Sequence, residues 1–67
     1  MKFSYNPLWK LLIDKNLTRS DLRKMTGISS ASIAKMGKSE NITTDILLRI
    51  CIALKCDITD IMELVEE

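Results

Sequence analysis

The chain has no histidine, which removes the imidazole that most often serves as general base or nitrogen ligand. It has two glycines and one proline, so no glycine-rich loop is present to cradle a phosphate chain. Its longest apolar run, Leu11-Leu12-Ile13, falls far short of the roughly 20 residues that cross a bilayer. The first residues lack the apolar core and cleavage site of an export leader, and a cytoplasmic location is expected. Cys51 and Cys56 have no further ligands to complete a zinc site, and reduced thiols are expected in that compartment. The spacing of Asp57 and Asp60 is that of a helix cap rather than of a catalytic pair. These absences predict a protein that is not an enzyme and carries no cofactor, metal, membrane span or evident small-molecule ligand.

The composition is that of an ordinary soluble domain, 46% hydrophobic and 28% charged over 67 residues. Residues 1–67 are expected to form one domain, which at this size buries only about 60% of its unfolded surface. The net charge of +1 hides an asymmetry. Residues 1–38 carry eight cations against Asp14 and Asp21, a balance of +6, while residues 39–67 carry Arg49 and Lys55 against seven acids, a balance of −5. A basic half suits a polyanion, and an acidic half suits a surface turned away from it.

The apolar spacing predicts five short helices and no substantial strand. Asn6 is placed as an N-cap with Pro7 in the first turn. Leu8, Leu11 and Leu12 follow at i, i+3, i+4, and Trp9 with Ile13 widens the stripe. Asn16 suits the left-handed residue that ends this helix. Thr18 with Asp21 reads as the capping box of a second helix that turns Leu22 and Met25 inward. Gly27 supplies a positive φ for a tight turn. Ser29 caps a third helix that buries Ile33 and Met36 and ends at Gly37. Thr43 caps a fourth, with Leu47, Ile50, Cys51 and Leu54 at i, i+3, i+4, i+7. Asp57 and Asp60 open a fifth, lined by Ile58, Ile61, Met62 and Val65. Trp9 and the four methionines are read as packing. Residues 1–5 form an N-terminal arm whose alternation from Lys2 to Tyr5 suits a short strand or a clamp over the core.

Two short helices hinged at Gly27, spanning about residues 18–37, have the pattern of a helix-turn-helix, whose second helix enters the major groove of DNA. With Ile33 and Met36 inward, Ser30, Ala31, Ser32 and Lys35 are left to face base edges. Serine donates or accepts, alanine meets a thymine methyl, and lysine reaches guanine O6 and N7. Thr18, Arg19, Ser29 and Lys38 surround the helix ends where phosphate is best held.

The ordered set resembles the Cro/C1-type helix-turn-helix repressors of phage and bacteria over roughly Leu8 to Met62. It runs Leu17-Thr18-x3-Leu22-x3-Thr26-Gly27-Ile28-Ser29-x3-Ile33-x2-Met36, then Thr43-x3-Leu47-x2-Ile50-x2-Ala53-Leu54, then Asp57-x2-Asp60-Ile61. The resemblance implies an all-α bundle of five helices like the lambda-repressor DNA-binding domain, operator binding, and a homodimer that regulates transcription. Arg19 stands where many relatives have Gln, Arg23 where many have Ala, and the recognition helix lacks long amides.

A dimer is expected to use the last helix through Ile61, Met62 and Val65, together with the Phe3–Tyr5 arm, which would pair with its twin as a strand. The competing reading is a protein-interaction or antitoxin-like module that keeps the fold with weak or no DNA binding, since fold alone does not fix function.

Overall fold

A computed structural model describes residues 1–66 of the chain. Among them the order is β1 (Lys2–Ser4), α1 (Asn6–Asp14), α2 (Arg19–Thr26), α3 (Ser30–Gly37), α4 (Thr44–Leu54), a single 3-10 turn (Ile58–Asp60) and β2 (Glu63–Val65). There are thus four α-helices, and the expected fifth is replaced by the 3-10 turn and a strand. The capping box at its start is real: Asp57 N–H donates to Asp60 Oδ2 at 2.9 Å. Beyond the turn, β2 pairs antiparallel with β1, with Phe3 opposite Leu64. A helix of about eight residues has little stability of its own, whereas an extended segment beside β1 satisfies both backbones. The arm therefore finds its strand partner within its own chain rather than in a twin.

Eleven buried apolar residues form one core, drawn from every helix and closed by Tyr5 and Ile61. Leu8 and Leu12 enter it from α1, Leu22 from α2, Ile33 and Met36 from α3, and Leu47, Ile50 and Leu54 from α4. Four residues expected to pack are outside it: Met1 at 75% and Ile58 at 40% exposure, and two on helices. Ile13 is 73% and Met25 48% exposed, because each lies beyond the arc of its helix that neighbouring elements cover.

Capping follows the sequence at three of four helices. Thr18, Ser29 and Thr43 each accept the backbone N–H of the third helical residue. At α1 the expectation fails. Asn6 is already helical, the cap position is Tyr5 without a side-chain bond, and the Asn6 N–H donates to Ser4 Oγ at 3.3 Å. Asn16 takes φ +57° as expected. Gly37 is the last residue of α3 and has no positive φ; the left-handed residue there is Ser39, at +58°.

Candidate nucleic-acid interface

Residues 27–29 join α2 to α3, and local chemistry sets their path. Gly27 takes φ +73° while its N–H donates to the Arg23 carbonyl at 2.8 Å. The Thr26 hydroxyl donates to the Leu22 carbonyl at 2.7 Å and accepts the Ile28 N–H at 3.4 Å. Ile28, only 6% exposed, then anchors the turn to the core. Ser29 starts α3 by accepting the Ser32 N–H at 3.2 Å.

The buried Ile33 and Met36 fix the phase of α3. At about 100° per residue, the opposite direction belongs to Ala31, Ala34, Lys35 and Lys38, with Ser30 on the flank; all five are exposed. Ser32 lies apart from them. It is half-buried, its hydroxyl is 3.1 Å from that of Ser29, and with Lys35 it borders a cleft against Asn41, Ile42 and Thr43. Ala34 is not among the residues expected from the sequence to face base edges, although the helical period from Ile33 and Met36 contains that signal.

The groups expected to hold phosphate are unequal. The Thr18 hydroxyl accepts the Asp21 N–H at 3.1 Å, and Asp21 in return accepts the Thr18 N–H at 2.9 Å. The bond from the Thr18 N–H, with a smaller contribution from the Thr18 side chain, holds the Asp21 carboxyl below its ordinary range. A negative charge thus already faces the start of α2, and the cation left there is Arg19. Its guanidinium carbon stands 4.1 Å from the centroid of the Trp9 ring, an attractive cation–π geometry. A Cβ at Gly37 would stand 3.3 Å from Arg19 Nη1, so this glycine leaves room for the arginine. Lys38 follows directly as the C-cap of α3. The exposed Arg23 is free to turn its head outward.

Lys35 borders a second cleft, shared with Lys2, Ser39, Glu40 and Asn41. The arm therefore delivers Lys2 beside α3, which sequence spacing gave no means to foresee. The Tyr5 hydroxyl donates to the Glu40 carbonyl at 3.0 Å and ties down the loop after α3. Burial pushes the Tyr5 hydroxyl up from its ordinary value, opposed by the nearby Ile42 backbone.

Of the residues expected at a dimer contact, Tyr5 and Ile61 are 1% and 0% exposed and belong to the chain's own core. Phe3 remains exposed, and Met62 and Val65 are half-buried. Phe3 and Met62 line an apolar groove with Leu47, Leu48, Cys51 and Ile58. The Cys56 thiol, in the same groove, is pushed up by burial first and then by Cys51 and Asp60. Among the described residues no group of three potential metal ligands occurs, and no helix is long and apolar enough to cross a membrane.

No curated protein matches the chain. A crystal structure of the transcriptional regulator VanUg is 47% identical to it, covers 98% of this chain and 88% of that one, and superposes with a TM-score of 0.95. The family model of the Cro/C1-type HTH DNA-binding domain matches residues 7–67. With the capped turn at Gly27 and the exposed outer side of α3, these likenesses establish that the chain belongs to the Cro/C1-type helix-turn-helix DNA-binding family.

Proposed function

We propose that the protein is a sequence-specific transcriptional regulator that inserts α3 into the major groove and represses by occupying its operator. The observation that carries this reading is the outer side of α3. Small residues, Ser30, Ala31 and Ala34, leave the helix free to approach base edges closely, and Lys35 projects among them with Lys38 at the helix end. Lys35 and Ala31 are the principal base contacts, reaching guanine and a thymine methyl respectively, with Ser30 and Ser32 at the margins. Arg19, Lys38 and the Thr18 and Ser29 hydroxyls take phosphates, and Lys2 adds a cation beside Lys35. The relation to a transcriptional regulator at 47% identity supports the regulatory role.

So few base contacts call for a second reading head. We infer that the protein binds as a homodimer, with two copies of α3 in half-sites about 34–36 Å apart. The apolar groove of Phe3, Leu48, Ile58 and Met62 supports a twofold contact.

Selection of bound sequences from a random DNA pool tests the whole reading. A palindromic consensus is expected. Absence of any enrichment at low salt would overturn DNA reading in favour of a protein-interaction module.

A further inference from the structure

The C-terminus of α4 has a geometry with chemical consequences for its two cysteines. Lys55 takes φ +53°; its N–H bonds to the Ile52 carbonyl at 3.3 Å, and the Cys56 N–H bonds to the Cys51 carbonyl at 3.1 Å. These two bonds define a Schellman motif, which a side-chain contact between the positions held here by Cys51 and Cys56 commonly accompanies. The bond between their backbones keeps the two Cα atoms within about 7 Å, by standard bond lengths, near the limit that a disulfide tolerates. The two side chains open onto the same side of the cap, since Cys51 and Cys56 both border one groove. Both are half-buried rather than sealed, and both line the open apolar groove beside Phe3, Leu48 and Met62.

We propose that Cys51 and Cys56 are a paired-thiol modification site, which small-molecule disulfides convert to an intramolecular disulfide across the C-cap of α4. One cysteine, as thiolate, attacks a sulfur of the small disulfide and expels one small thiolate, leaving a mixed disulfide. The second cysteine, as thiolate, attacks the protein-bound sulfur of that bond and expels the other small thiolate. The two cysteine protons end on the two released thiols, and the small disulfide is reduced as the cysteine pair is oxidised. The second step is intramolecular between residues joined across one helix cap, so closure outpaces a second external exchange. The ring would clamp the cap and change the wall of the groove. The site stands on its own geometry and does not depend on the DNA reading.

The test uses the full reduced chain at low micromolar concentration, equilibrated with graded ratios of oxidised to reduced glutathione, then acid-quenched and alkylated. Intact mass is expected to show one monomeric species lighter by two hydrogens and closed to alkylation, with dithiothreitol restoring both thiols. Cys51→Ser and Cys56→Ser should each stop at one glutathione adduct. Two alkylatable thiols at every ratio, a doubly glutathionylated wild type, or disulfide-linked chains would each overturn the proposal.

Discussion

Gly27 sits at φ +73°, and no atom lies within 4 Å of where its Cβ would stand. A side chain there meets open space, so the cost of Gly27→Ala is conformational alone, about 1–2 kcal/mol. Gly27→Asn should lose less, because asparagine tolerates the left-handed region; paired denaturant titrations distinguish the two. The proposed function gives Arg19 and Lys35 similarly separable parts. Lys35→Ala should change which sequences are preferred. Arg19→Ala should weaken all sequences about equally and reduce the salt slope by roughly one unit. Affinities measured across a salt series on the selected site and on single-base variants separate these outcomes. Identical shifts from both mutants would show that α3 does not face the bases.

Among the elements, α2 depends most openly on one carboxylate. Asp21 completes the capping box with Thr18, and its pKa is lowered below the ordinary 3.8. A depressed carboxylate stabilises the fold above its unfolded pKa, and the contribution fades as pH falls through the folded value. Wild type should therefore melt above Asp21→Asn at neutral pH, with the gap closing below pH 3.8; a gap that persists in strong acid would contradict the capping role. The last element illustrates the opposite weighting. Its cap is as well formed as that of α2, yet the chain leaves the 3-10 turn for β2, because the strand offered by Lys2–Ser4 is close enough to pair. Local signals governed the start of the element, and a partner distant in sequence governed its continuation.

For the molecule as a whole, charge and topology act together. The arm is basic by sequence, and pairing with β2 carries Lys2 to the cleft beside Lys35, extending the cationic surface past the helix-turn-helix itself. The expected dimer rests on the groove rather than on the buried Tyr5 and Ile61. Sedimentation velocity at micromolar concentration should give a dimer, and Leu48→Glu, which places a charge at the exposed rim of the groove, should yield monomers that melt normally but bind a palindromic site at least tenfold more weakly. A wild-type monomer both free and on DNA would remove the dimer.

The sequence by itself determined the three serine and threonine caps, the turn at Gly27, the left-handed Asn16 and the inward set Leu22, Ile33 and Met36. Each of these depends on residues within about one helical turn of one another, so the information is local. It could not determine that Ile13 and Met25 stay exposed, because the width of a helix's buried arc is set by the elements that pack on it. Nor could it reveal that Gly37 makes room for the Arg19 guanidinium, or that Glu63–Val65 extends to meet Lys2–Ser4. Those outcomes join residues far apart along the chain. Only the tertiary structure decides them, because the free energy that favours each comes from a partner that exists once the chain has closed around its core.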